Sequence, residues 1–205
     1  MTTLALSISL VLTYFIGSIP FAYIYGKIFK KIDIREHGSG NVGATNVLRV
    51  FGTKAGIIVL LLDIIKGYIP VLIITWLYPQ ALWQPVLVGI FAILGHTFTI
   101  FLKFKGGRGV ATSAGVFLAL SPFSILAAIL IFVLVVAITK YVSLGSMIAA
   151  VFLMITHTIF FILCESSNPY IFYFTLILCL FIIYKHKPNI MRLIKGTENK
   201  INFKK

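Results

Sequence analysis

Long apolar runs at about 4–29, 53–76, 83–102, 109–121, 123–139, 145–163 and 170–185 alternate with short polar turns along this chain. A membrane-crossing helix needs roughly 20 apolar residues, so the pattern predicts an all-α integral membrane protein with seven transmembrane helices. The first run carries no Lys or Arg before Lys27 and is too long for a signal peptide, which reads it as a span with the N-terminus outside. The fourth run is short. About a dozen residues separate Arg108 from Ser121-Pro122, a helical rise of roughly 20 Å against a hydrocarbon core of about 30 Å. Its N-terminal end should therefore start below the membrane surface, in a recess.

Composition agrees with that reading: 60% of residues are hydrophobic, 11% are charged, and the mean hydropathy is +1.04. Charge then orients it. Alternation from an external N-terminus puts Lys27, Lys30, Lys31, Arg35, Arg49, Lys54, Lys103, Lys105, Arg108, Lys140, Lys185, Lys187, Arg192, Lys195, Lys200, Lys204 and Lys205 on one face, and only Lys66 lies inside a span. With 17 of 18 basic residues on one side, the positive-inside rule makes that side and the C-terminus cytoplasmic. Topology and attraction to anionic head groups account for most of these charges. No internal repeat or second domain is visible, so residues 1–205 read as one polytopic domain with a basic cytoplasmic tail from about 186. Cys164 and Cys179 fall about 22 Å apart on this topology, too far for a disulfide, and both read as packing residues.

Charge does not explain two glycine-rich loops on the cytoplasmic side. The first, Gly38-Ser-Gly-Asn-Val-Gly-Ala-Thr-Asn46, has glycines at 38, 40 and 43, hydroxyls on Ser39 and Thr45, and amides on Asn41 and Asn46. Arg35, His37 and Arg49 flank it, and no good helix interior is expected before Val47. The second, Lys105-Gly-Gly-Arg-Gly109, opens the short fourth span. Glycines expose backbone N–H groups, a helix start adds the positive end of its dipole, and nearby Lys or Arg supplies charge; together these hold a phosphate without a metal. The first loop is not a nucleotide P-loop, because Ala44 stands where that motif needs Lys. The chain has no H-x-x-x-x-D dyad, no G-x-S-x-G and no H-E-x-x-H, and its five acids are too scattered for a two-metal site. No metal, ATP or other cofactor is expected, and no nucleic acid or obligate protein partner.

Other polar residues in the spans have structural readings beside functional ones. Asp63 and Lys66, three apart on one helical face, read as a buried ion pair fixing a helix contact. His96 is balanced between a structural and a site role. His157, between Thr156 and Thr158, reads as an interhelical hydrogen bonder. Ser143 and the exit segment His186-Lys-Pro-Asn-Ile-Met-Arg192 bring hydroxyl, imidazole, amide and guanidinium groups to the cytoplasmic side, and the segment can fold back under the helices.

Ser18-Ile-Pro-Phe21, the GSGNVGATN loop, Gly95-His96, FKGGRGVATSAG from Phe104 to Gly115, Ser143 and HKPNIMRLIKGTENK from His186 to Lys200 together resemble the bacterial acyl-phosphate:glycerol-3-phosphate acyltransferases, the PlsY type. The resemblance runs nearly the full length. It implies an inner-membrane enzyme that transfers a fatty acyl group from acyl phosphate to the 1-hydroxyl of glycerol 3-phosphate, giving lysophosphatidic acid and phosphate for phospholipid synthesis. On that resemblance Gly38, Ser39, Gly40, Asn41, Gly43, Thr45, Asn46, Gly106 and Gly107 would hold the acyl phosphate, and Lys105 would neutralise the phosphates. Arg49, Lys105, Ser143, His186, Asn189 and Arg192 would position glycerol 3-phosphate, with Ser39, Lys105, Ser143, His186 and Asn189 as the catalytic set. Arg108 departs from the Lys seen in many relatives, keeping the charge but changing donor geometry. The departing phosphate could take the hydroxyl proton, with His186 as the alternative general base. A permease for a small phosphorylated metabolite, or a transferase using acyl-CoA or acyl carrier protein, would use a similar basic recess.

Overall fold

The computed structural model describes residues 1–164 and 168–201; Lys204 and Lys205, assigned above to the basic face, lie outside them. Among the described residues all regular structure is helical. A helix satisfies its own backbone groups, as apolar surroundings demand. The chain forms two compact units, the first from Met1 to Leu120 and the second beginning at Ser121.

In the first unit lie α1 (Thr3–Ser18), α2 (Phe21–Phe29), α3 (Ala44–Phe51), α4 (Thr53–Leu77), α5 (Gln84–Thr97) and α6 (Val110–Leu120). The predicted first span is not one helix: it breaks at Ile19-Pro20 and bends by 43°. Pro20 has no N–H to donate, and its ring pushes Ile19 out of the helical region to ψ 115°. The break frees carbonyls at the end of α1, and two of them find side chains. Thr99 Oγ1 donates to Ser18 O at 2.6 Å, and Lys66 Nζ donates to Ile19 O at 2.9 Å.

α1 packs on α5, and α4 on α6. Gly17 lies against the backbone of Ala92, Gly67 against Thr112 and Gly115 against Ile64, so closely that an added Cβ would strike a carbonyl. Small residues at such contacts let helix backbones approach where no hydrophobic effect drives association. α6 has only 11 residues. Its rise of about 16 Å is too short to cross a bilayer unaided.

The second unit contains α7 (Pro122–Thr139), α8 (Val142–Leu163), α9 (Pro169–Lys185) and α10 (Lys187–Ile194), with α8 touching both α7 and α9. A 56° bend separates α9 from α10, where Pro188 enters the first turn of the new helix. His157 Nδ1 lies 3.0 Å from Leu153 O of its own helix, and Thr156 and Thr158 likewise bond carbonyls four residues back.

Among the described residues four helical segments, Thr53–Leu77, Gln84–Leu102, Pro122–Thr139 and Val142–Leu163, are long and apolar enough to cross a membrane, and the two bent pairs raise the number to six. Trp76, Phe123, Ile138 and Ile177 project from these helices with their side chains exposed. Exposed apolar faces of this kind suit lipid rather than water.

Candidate active site

In the first unit Val42 of the first glycine loop, Val47 just after it and Leu102, just before the second, join one buried cluster with Ala22, Ile34, Ala55 and Val59. The two loops are thus built on a common apolar floor. Above it the first loop is shaped by one side chain. Asn46, 1% exposed, accepts the Ser39 N–H at 2.8 Å through Oδ1, and its Nδ2 donates to His37 O at 3.0 Å and Ile34 O at 3.2 Å. Gly38 and Gly40 turn the chain at φ +62° and +70°, and a Cβ on Gly38 would collide with the Asn46 amide. α3 begins at Ala44, three residues earlier than the sequence suggested, and Gly43 at its N-cap offers no side chain to the free N–H groups. Ser39, Asn41, Thr45 and Arg49 are all half-buried around this start.

Arg35 is committed elsewhere. Its Nε and Nη2 grip Asp33 at 3.0 and 2.7 Å, and Lys27 approaches the same carboxylate at 3.6 Å. The Arg35 hydrogen bonds outweigh the opposing effect of burial and hold the Asp33 carboxyl far below the usual carboxylate range.

In the second loop Lys103 and Phe104 adopt φ +54° and +62°, a left-handed turn unusual for residues with side chains. That turn lays Gly106 and Gly107 along the end of α5. Gly106 N–H donates to Thr97 O at 3.0 Å and Gly107 N–H to His96 O at 3.1 Å. Both N–H groups are therefore occupied, and what these glycines provide is closeness: a Cβ on Gly106 would strike His96 O, and one on Gly107 would strike the His96 ring. Gly109, at φ +86°, then swings the chain into α6. Lys105 is exposed and Arg108 half-buried. Behind the loop, His96 Nδ1 faces Asp63 Oδ1 at 3.6 Å, and the same oxygen pairs with Lys66 Nζ at 2.7 Å.

The second unit holds a different cluster. Glu198, in the stretch after α10, accepts from Ser143 Oγ at 2.7 Å and Asn189 Nδ2 at 2.6 Å through Oε1, and from Arg192 Nε at 2.7 Å through Oε2. Burial alone would raise this carboxyl, but the hydrogen bonds from Ser143, Asn189 and Arg192, with the charge of Arg192, bring it below its ordinary value. Beyond it, Ile201 N–H donates to Lys140 O at 2.8 Å and Lys200 sits 5.6 Å from the Tyr141 ring centre, tying the stretch to the start of α8. His186 is buried with Nδ1 2.8 Å from Ile182 O. A carbonyl only accepts, so this geometry assigns the neutral ring's hydrogen to Nδ1 and leaves Nε2 as the acceptor nitrogen. Asn189 Oδ1 is buried and has no hydrogen-bond partner among the described residues.

Residues 7–196 match the family model described as glycerol-3-phosphate acyltransferase. Over 194 residues the chain is 50% identical to the glycerol-3-phosphate acyltransferase of Fusobacterium nucleatum subsp. nucleatum, covering 95% of this chain and 97% of that protein. The chain belongs to the glycerol-3-phosphate acyltransferase family. The Bacillus subtilis (strain 168) member is 42% identical over 198 residues, covering 97% of this chain and 98% of that one. Among solved structures, the glycerol 3-phosphate form of PlsY, an integral membrane glycerol 3-phosphate acyltransferase, superposes with a TM-score of 0.89 at 35% identity, covering 97% of this chain and 96% of that one. The lysophosphatidic acid form superposes with a TM-score of 0.86 at the same identity. The chain is thus a multi-pass membrane acyltransferase of the PlsY type.

For this glycerol-3-phosphate acyltransferase the motifs named from sequence fall into two clusters of distinct construction. Gly38, Ser39, Gly40, Asn41, Gly43, Thr45, Asn46, Arg49, Lys105, Gly106 and Gly107 lie in the first unit, and Ser143, His186, Asn189 and Arg192 in the second. Asn46 faces its own loop backbone, so its contribution is to hold the loop's shape. Glu198, the hub of the second cluster, was missed as a site residue; the signal was an acid in a tail otherwise rich in Lys and Arg. The Asp63–Lys66 pair predicted from spacing is present, but its contacts with His96 and the broken end of α1 could not be read from either helix alone.

Proposed function

We propose that the acyl donor is acyl phosphate and that transfer takes place at the cytoplasmic face of a bacterial inner membrane. In this reading the chain is a single polytopic domain with seven spans, α6 being the short one, an external N-terminus and a cytoplasmic C-terminus. The placement of 17 of 18 basic residues on one side supports the orientation.

The observation that carries the site assignment is Asn189. A buried carbonyl oxygen without a partner is costly, and a substrate hydroxyl would relieve that cost. Asn189 therefore takes a glycerol hydroxyl and Arg192 its phosphate, and Ser143 and His186 complete the cradle. Gly38, Ser39, Gly40, Asn41, Gly43, Thr45 and the uncapped start of α3 receive the acyl phosphate, with Gly106 and Gly107 as a close-packed wall and Lys105 as the mobile cation.

The 1-hydroxyl oxygen attacks the acyl carbonyl carbon, an ester C–O bond forms, and the bond from carbon to the phosphate oxygen breaks. The phosphate leaves with that electron pair and accepts the hydroxyl proton. An acyl phosphate is already activated, so orientation and charge neutralisation supply the catalysis. His186 positions the glycerol.

Purified protein in detergent, given acyl phosphate and glycerol 3-phosphate, should release phosphate and lysophosphatidic acid in equal amounts. Turnover with acyl-CoA or acyl carrier protein but not with acyl phosphate overturns the donor assignment, and uptake of glycerol 3-phosphate into vesicles without acylation would favour a permease. For the orientation, a single Cys at position 43 should resist an impermeant reagent in intact cells; labelling there overturns it.

A further inference from the structure

The acyl-transfer reading leaves one buried group without a task. His96 lies at the end of α5, 7% exposed, with Nδ1 facing Asp63 Oδ1 at 3.6 Å. Its own carbonyl accepts the Gly107 N–H, and its ring occupies the place that a Cβ on Gly107 would need. Asp63 is in turn paired with Lys66 at 2.7 Å, and Lys66 holds the freed Ile19 carbonyl. A continuous chain of contacts thus runs from the broken end of α1 through Lys66, Asp63 and His96 to the backbone of the second glycine loop. Lys105 stands two residues before Gly107.

We propose that His96, held by Asp63, is a positioning residue for the reaction: its ring is the surface on which Gly107 rests, its carbonyl bonds the Gly107 N–H, and so it sets where Lys105 is presented to the phosphates. This rests on the reading of Lys105 as the cation that neutralises them. Simple space-filling does not need a polar ring facing an acid already paired with Lys66. A purely apolar wall would fill the same volume without leaving polar atoms to be satisfied in a buried site. The arrangement suits a ring that must keep one orientation, because a shift of about 1 Å in a positioning element costs on the order of 10²-fold in rate.

The conservative variants separate the two edges of the ring. Asn at 96 keeps an amide near the Nδ1 position facing Asp63, whereas Gln reaches toward the Nε2 position against Gly107. His96→Ala should lower kcat by about 10- to 100-fold with little change in melting temperature, and His96→Gln should recover more of it than His96→Asn. The decisive measurement is a double-mutant cycle with Lys105→Ala. If His96 acts by placing Lys105, its replacement costs less than about 3-fold once Lys105 is gone. An equal loss in both backgrounds overturns the proposal, as does a kcat unchanged in all three single variants. Should His96→Ala fail to fold, His96→Asn takes its place in the cycle. Wild-type protein that releases no phosphate from acyl phosphate would defeat the donor reading instead, and the cycle would then be run with whichever donor supports turnover.

Discussion

The two polar clusters solve similar problems with different materials. In the first unit the loops are shaped by backbone: Asn46 pins three main-chain groups, Gly106 and Gly107 pair with α5 carbonyls, and positive φ angles turn the chain at Gly38, Gly40 and Gly109. In the second unit a single carboxylate, Glu198, gathers a hydroxyl, an amide and a guanidinium. A backbone-built site has steep steric limits, as at Gly38, Gly106 and Gly107, where an added Cβ would collide. A side-chain hub is broken by loss of charge, and its integrity follows pH.

The largest effect should come from breaking the steric side of that contrast. Gly107→Val sets a branched side chain against the His96 ring, and turnover should fall by more than about 10³-fold if the displaced loop no longer meets the phosphates. Activity near the wild-type level, in protein with an unchanged melting profile, would reduce the loop to a tight turn.

Lys105→Ala leaves the loop backbone intact and removes only charge. By analogy with loss of one preorganised donor it should cost about 2–4 kcal/mol, or 10² to 10³ in rate, with Lys105→Arg recovering part. Equal turnover by all three forms would take Lys105 out of the chemistry.

Next comes the hub. Glu198→Gln keeps shape but loses the charge-assisted bonds, and the second unit should lose about 1–3 kcal/mol of stability, with a larger rise in glycerol 3-phosphate KM than fall in kcat. The wild type carries the matching pH signature. Because the Glu198 carboxyl lies below its ordinary value in the folded chain, its contribution to stability is fully present above the unfolded pKa of about 4.3 and disappears as pH falls through the lower folded value. Melting curves should therefore show a steeper loss on acidification in wild type than in Glu198→Gln. Parallel curves would mean that Glu198 is not the titrating hub.

The smallest effect is expected at His186. If the departing phosphate is the base, His186→Gln retains appreciable kcat and mainly raises glycerol 3-phosphate KM. A kcat fall of 10³ or more at unchanged KM, with loss of a limb of the pH-rate profile, would make His186 the general base. The ring orientation set by Ile182 O leaves Nε2 able to accept a proton, which is why kinetics must separate the two roles.

By itself the sequence determined the helical class, the positions of the apolar segments, the polar motifs and, through their order along the chain, the family. Those features follow from local composition and spacing: an apolar run of membrane length must bond its own backbone, and glycine loops with adjacent cations are visible as text. The Asp63–Lys66 pair was legible for the same reason, since three residues on one helix fix a distance. Only the tertiary structure decided which groups those motifs use. That Gly106 and Gly107 donate to α5, that Asn46 serves its own loop, that Pro20 breaks the first span into two helices whose loose carbonyls need Thr99 and Lys66, and that Glu198 returns to Ser143 across 55 residues all depend on packing between distant segments. Sequence spacing defines neighbours along one helix, whereas the partner of a freed carbonyl or a buried carboxylate is chosen by which other helix lies within about 3 Å of it.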